Sequence, residues 1–195
     1  AVMGGKAAVG GLRAGVEPFV EQLAAPTATP GGGSASAASA AMAAALATMV
    51  AAMSRGKKAY LEHESELSDA IARLGQLREE LKAAIDADAE SFDVVMKAYK
   101  VSKQSADAGS GIDAALKQAT SVPLGVAESA REIAGIVERL KPITNPNMKS
   151  DLTTASALAQ AAIAGASANV EINLESMKDA AFVADVRKRA AVLRR

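Results

Sequence analysis

The sequence predicts an all-α protein, an up-and-down bundle of about five long helices closed by a short C-terminal one. Three observations carry that class. Half of the 195 residues are hydrophobic, yet only 3% are aromatic and Trp is absent, so the apolar content sits in Ala, Val, Leu and Met. Such a composition favours helices at close range over a sheet, whose strands favour aromatic and β-branched residues. Apolar positions recur at steps of three and four rather than two, and Gly and Pro clusters punctuate the chain between them.

Residues 1–11 are rich in Gly and Ala and read as a flexible lead, with residues 12–195 as one helical domain. A short amphipathic helix is expected over 12–24, then a turn over 26–33. The run Pro30-Gly31-Gly32-Gly33-Ser34 gives a backbone that can approach a neighbour or ligand closely, with Ser34 as the N-cap of the second helix. That helix, 34–54, is Ala-rich nearly all round, so it belongs at the centre of an assembly, covered by its own chain or by a copy of it. Gly56 ends it. Its length raises the question of a membrane span. Weakly apolar Ala, interspersed Ser and Thr and the lack of flanking aromatics speak against one.

The third helix is expected over 57–100 with a bend near Gly75, its apolar stripe formed by Leu67, Ile71, Leu74, Leu81, Ile85, Phe92, Val95 and Tyr99. Residues 101–111 read as a loop. A fourth helix carries Ile112, Leu116, Ala119, Val122, Val126, Ala130, Ile133, Val137 and Leu140, with a kink at Pro123. After a turn over 141–147, a fifth helix runs over Lys149–Glu175 and a last one over 179–195.

Composition excludes several function classes. Lys plus Arg and Asp plus Glu both number 22, against the basic excess a nucleic-acid partner demands. With no Cys and a single His, thiol chemistry is excluded and a zinc or other metal site is not expected. No charged-then-apolar leader opens the chain, and the cytoplasm is the expected compartment.

The candidates for chemistry are few. Asp88 lies three residues after Ile85 and four before Phe92, inside the apolar stripe. A carboxylate there is either paired or available as an acid or base; a slight rotation of the helix would instead leave it at the stripe's edge. Asp151 follows Asn145, Asn147, Lys149 and Ser150 at the start of the fifth helix, where it serves either as a cap or as a site carboxylate beside free backbone donors. Asn169 and Asn173, four apart on an otherwise apolar face, want hydrogen-bond partners on another helix or on a heterocycle. Asp151 and Asn169 are about 27 Å apart along one helix, so one small site can hold both only if two antiparallel copies meet. Lys57 and Lys58 beside Tyr60 suit a ligand carboxylate, or are an ordinary solvated helix start. His63, among Glu62, Glu64 and Glu66, is a surface residue. The three glycines match no Walker or Rossmann pattern, since no strand precedes them.

The segment PTATPGGGSASAASAAMAAALATMVAAMSRGKKAY resembles the opening of the cyclodeaminase/cyclohydrolase family of folate enzymes. That family includes the C-terminal domain of formiminotransferase-cyclodeaminase and the stand-alone methenyltetrahydrofolate cyclohydrolase. IDADAESFDVVMKAY, TSVPLGVAE and NPNMKSDLTTASALAQAAIAGASANVEINLESMKDAAF follow in the family's order, so the likeness covers residues 16–190. It implies a helical subunit in an intertwined or side-by-side homodimer, or a dimer-based oligomer. It also implies a reduced folate as substrate, no cofactor beyond that tetrahydrofolate derivative, and room for an upstream formiminotransferase domain. Cyclodeaminase activity closes 5-formiminotetrahydrofolate to 5,10-methenyltetrahydrofolate and expels ammonia; cyclohydrolase activity adds water to the methenyl bridge and gives 10-formyltetrahydrofolate. Lys149-Ser150-Asp151-Leu152 is nearer to the Arg-Ser-Asp-Leu of cyclodeaminase domains. The 101–111 loop is shorter and less charged than the family's usual connection.

Both reactions pass through a tetrahedral carbon and move protons, work suited to carboxylates. On this resemblance Asp151 ranks first and Asp88 second as the catalytic group. Gly31, Gly32, Gly33, Ser34, Lys57, Lys58, Tyr60, Asn145, Ser150, Asn169 and Asn173 are candidate substrate contacts. The competing class is a non-enzymatic helical assembly module, in which these polar residues satisfy one another and leave no folate-sized cleft.

Overall fold

The computed structural model describes residues 11–102 and 109–193, and these fold as six α-helices with no strand among them. They are α1 (Gly11–Ala24), α2 (Gly32–Ser54), α3 (Glu64–Ser102), α4 (Gly109–Leu140), α5 (Lys149–Glu175) and α6 (Ala180–Leu193). The all-α class and order of elements agree with the sequence. The expected lead, most of the 101–111 loop and the last two residues lie outside the described residues.

Several local expectations are corrected. Ser34 is not the N-cap of α2: Gly31 holds that position in extended conformation, and Ser34 lies within the first helical turn. The third helix starts at Glu64 rather than 57, after a separate 3-10 segment, Lys58–His63. Residues 101, 102 and 109–111 are helical rather than loop. A 3-10 turn, Pro146–Met148, precedes α5, whose N-cap is Met148; Asp151 makes no side-chain capping bond. Gly56 does end α2, with φ at +73°, the left-handed conformation that glycine adopts most freely.

Helices α2, α3, α4 and α5 make the bundle, with α2 touching the other three and α6 resting on α4 and α5. Ala37, Ala40, Ala43, Ala44, Ala47 and Ala51 of α2 are wholly buried. A buried alanine methyl contributes only about 0.8 kcal/mol, so most of the apolar stabilisation comes from larger side chains around it. Leu67, Leu74, Leu77 and Leu81 of α3, at steps of seven, three and four, meet Ile133, Val137 and Leu140 of α4 in this core. A second cluster, with Val95, Leu116, Val170, Leu174 and Val186, closes the other end of the bundle. Although α2 is long and apolar enough to cross a membrane, its small side chains are the bundle's centre.

Close approach has a visible requirement at Gly165, where an added methyl would collide with the Ser36 hydroxyl. Surface links are ionic. Lys117 bonds Asp179 at 2.6 Å and lies over the Phe182 ring, tying α4 to the start of α6. That bond, with the Phe182 N–H, holds the Asp179 carboxyl below its usual range. Arg73 grips Glu132 through Nε and Nη2, at 2.6 and 2.7 Å, joining α3 to α4.

The Arg73 hydrogen bond lowers the Glu132 pKa against the opposing effect of burial. Its contribution is therefore complete above the unfolded carboxylate value and fades as pH falls through the lower folded value. Both side chains are about 40% exposed, so solvent screening keeps the pair small. Glu132→Gln is expected to cost at most about 1 kcal/mol at neutral pH. The cost should begin to shrink as the pH falls through about 4 and be gone only below the lowered Glu132 value, as read from urea unfolding along a series of acidic pH values.

Candidate functional site

At the N-terminal end of α2 a cleft of about 320 Å³ opens between the Ala28–Gly32 turn, α3, α4 and α5. Gly31, Gly32, Asp88, Asn169 and Asn173 line it, so five of the residues singled out in the sequence meet there. Gly33 and Ser34 lie directly behind and are buried.

Asp88 is the organising group. Its Oδ2 accepts the Ser34 N–H at 2.8 Å and lies 3.1 Å from the Ser34 hydroxyl. A carboxylate against the first turn of a helix meets N–H groups that have no partner within the helix, and here it answers that of Ser34. Oδ1 has no hydrogen-bond donor among the described residues, while Asp88 itself forms part of the cleft wall. One oxygen is fixed by the Ser34 donors, and the other lies against Gly33 with no donor of its own among the described residues. Gly33 makes this possible, because a methyl there would overlap the carboxylate.

The opposite wall is built from α5. Asn173 donates to the Ala119 carbonyl of α4 at 3.0 Å, and Asn169 to Gly165 of its own helix at 2.9 Å. One amide thus finds its partner on another helix, as the apolar surroundings demand, and the other does not. The amide oxygens accept from no described residue and are free to bind. Gly32 has no side chain, which lets the turn come close to Asn169: an added methyl would lie 3.3 Å from its Nδ2.

Sequence reasoning missed the apolar part of the cleft. Phe92, Met96, Tyr99 and Ile172 line it beside Ser91. Of the two aromatics in the expected core stripe, Tyr99 does pack against the second core cluster while also lining the cleft, whereas Phe92 is 37% exposed. The only aromatic residues in the last third of a long helix, next to a carboxylate, were the available signal.

The remaining candidates gather at the other end of α2, whose 23 residues span about 33 Å. Lys57 and Lys58 are exposed, and Tyr60 packs against the main core. Asn145 is structural in this subunit: its N–H donates to Ser54 Oγ at 3.1 Å and its Oδ1 accepts from Asn147. Ser150 is exposed, and Asp151 is half-buried without a hydrogen bond or ion pair to any described residue. Neither they nor Lys57 and Lys58 reach the cleft of their own subunit.

Gly33→Ala must displace the Asp88 carboxylate from the Ser34 donors. A loss of about 1–2 kcal/mol is expected, measured as a lower midpoint in chemical unfolding. Unchanged stability would show that the carboxylate can move without cost.

A family profile described as Formiminotransferase-cyclodeaminase matches residues 15–192. Methenyltetrahydrofolate cyclohydrolase of Methylorubrum extorquens is 38% identical over 171 residues, which are 86% of this chain and 82% of that protein. Formimidoyltransferase-cyclodeaminase of Sus scrofa is 33% identical over 90% of this chain, which spans only 33% of the pig protein's length. A crystal structure of formiminotetrahydrofolate cyclodeaminase from Thermotoga maritima superposes with a TM-score of 0.85 at 33% identity, covering 91% of this chain and 87% of that one. With the profile covering nearly the whole chain and the same helical fold in a solved relative, this protein belongs to the formiminotransferase-cyclodeaminase family.

Proposed function

We propose that the chain is a formiminotetrahydrofolate cyclodeaminase, converting 5-formiminotetrahydrofolate to 5,10-methenyltetrahydrofolate and ammonia. The observation that carries this reading is Asp88, pinned on one oxygen and free on the other, at an apolar and aromatic cleft with two amides opposite. The solved cyclodeaminase with the same fold supports it.

The chemistry needs one proton moved twice. N10 of the folate attacks the carbon of the protonated formimino group, CH=NH2+, and a C–N bond forms as the C=N double bond becomes single and its electron pair settles on the NH2 nitrogen. The proton leaving N10 passes to Asp88 Oδ1. Asp88 then returns it to the former imino nitrogen, which departs as ammonia as its bond to carbon breaks. The cationic methenyl bridge is left beside a carboxylate that is again negative, a favourable electrostatic pairing. Phe92 and Tyr99 offer flat apolar surfaces to the pterin, and Asn169 and Asn173 supply polar contacts.

Cyclohydrolase activity is a second reading, favoured by the Methylorubrum extorquens relative, which this chain matches over most of both lengths. Water would then lose a proton to Asp88 as it attacks the methenyl carbon; Asp88 returns it to N5 as the bond from that carbon to N5 breaks, and the hydroxyl gives up its proton to solvent, leaving the formyl group on N10. The methenyl chromophore's absorbance separates the two. Its appearance from 5-formiminotetrahydrofolate, with equimolar ammonia, identifies the cyclodeaminase; its loss from 5,10-methenyltetrahydrofolate above the buffer rate identifies the cyclohydrolase. No change in either trace would reject the folate reading and leave the assembly module.

The second half of the proposal concerns the distant cluster. Two subunits side by side and antiparallel would set Asp151, Lys57 and Lys58 of one against the Asp88 cleft of the other. The half-buried, unpartnered state of Asp151 supports this, as do Met42, Met49 and Met53, which α2 leaves exposed. Lys57 or Lys58 would then hold the glutamate tail of the folate. Asp88→Asn and Asp151→Asn should each lose at least about 100-fold in kcat. Mixed after unfolding and refolding together, they should regain roughly a quarter of wild-type activity, since half the dimers are mixed and each has one intact site. No recovery would mean that each subunit uses only its own residues.

A further inference from the structure

Ser34 is fully buried, so it cannot touch a ligand in the cleft. Its hydroxyl nevertheless faces two acceptors at once, the Ile85 carbonyl at 2.8 Å and Asp88 Oδ2 at 3.1 Å. A serine hydroxyl has one hydrogen, so at any moment only one of these oxygens receives it. Asp88 Oδ2 keeps the Ser34 N–H at 2.8 Å in either case.

We infer that Ser34 is a positioning residue whose hydroxyl follows the charge on Asp88, turning between Oδ2 and the Ile85 carbonyl as Asp88 loses and gains its proton. The inference rests on Asp88 being the proton carrier proposed above. While Asp88 is a carboxylate, its charge makes Oδ2 the stronger acceptor, and the hydroxyl points there. When a proton arrives on Oδ1, Oδ2 becomes the carbonyl oxygen of a neutral acid and a weaker acceptor. The hydroxyl then turns to Ile85 without leaving an unpaired donor in the core. Only the proton crosses to Oδ1; nothing else is transferred. The carboxyl group is thus held in one orientation through both halves of the reaction, with Oδ2 always occupied and Oδ1 always the oxygen that exchanges the proton. Preorganisation of this kind acts on the chemical step rather than on substrate binding.

The test compares Ser34→Ala, Asp88→Asn and the double variant, with kcat and KM measured on whichever folate substrate the wild type turns over. Ser34→Ala is expected to lower kcat about 10-fold with KM within about 2-fold, and to slow Asp88→Asn no further. Multiplying losses in the double variant, or a rise in KM with kcat intact, would overturn the inference while leaving Asp88 in its role. Wild-type turnover by Asp88→Asn would remove Asp88's role and this inference with it. If Ser34→Ala does not fold, Ser34→Cys retains most of the buried volume with a weak donor. It is expected to show the same drop in kcat, and full activity would overturn the inference.

Discussion

Everything in this fold depends on how little side chain α2 carries. A helix of Ala, Gly and Ser can lie in the middle of three others, and α2 touches α3, α4 and α5 along its length. The energetic consequence is uneven. Each buried alanine removes little apolar surface from water, whereas a leucine removes enough for about 2–3 kcal/mol. The α3 leucines and the α4 aliphatics therefore supply most of the driving force, and α2 supplies the geometry that lets them close over it. Adding volume to α2 would damage the fold as much as removing it from α3, because close-packed cores resist overfilling.

The same thinness creates the site. Since Gly32 and Gly33 have no side chains, the first turn of α2 reaches both the Asn169 amide and the Asp88 carboxylate. Those two groups belong to helices on either side of α2. Their spacing is fixed by the glycine turn between them rather than by a flexible loop. The polar atoms that the turn would otherwise leave unsatisfied are then answered by Asp88, so helix start and carboxylate stabilise one another. Structural and chemical needs coincide at one oxygen, and the second oxygen is left without a structural duty.

Much of this was legible in the sequence because it depends on local pattern. The Ala-rich run, the Pro-Gly-Gly-Gly turn and the Gly56 stop define α2 almost by themselves, and the interruption of the α3 stripe marks Asp88. What was misread depends on where neighbouring helices end. Ser34 has the character of a cap, but three glycines before it let the helix begin earlier, at Gly32. Phe92 continues a core periodicity, yet the glycine turn provides too little side chain to cover it, so it faces a cleft. Asp151 stands near the start of α5 but makes no capping bond, because a 3-10 turn delivers the chain into α5 through Met148, and the Asn145 side chain caps that turn by accepting the Asn147 N–H.

The proximity of two activities within one family has a physical explanation in this arrangement. In the proposed deamination the nucleophile is a nitrogen of the folate itself; in hydrolysis it is water. Both place a tetrahedral carbon against the same cleft, and both need a base that takes a proton and then gives it back. Asp88, if it is the base as proposed, would meet that requirement without regard to which nucleophile supplied the proton. Selection between the reactions must therefore come from what admits or excludes water around the bound carbon. In a single subunit the cleft is open along the apolar residues Phe92, Met96 and Ile172, none of which can order a water. A surface that closes over them would exclude solvent, strengthen the carboxylate's hold on the cationic bridge and favour the nitrogen nucleophile. On the proposed mechanism the chemistry would be set by the groups beneath the substrate, and the choice of reaction by whatever covers it.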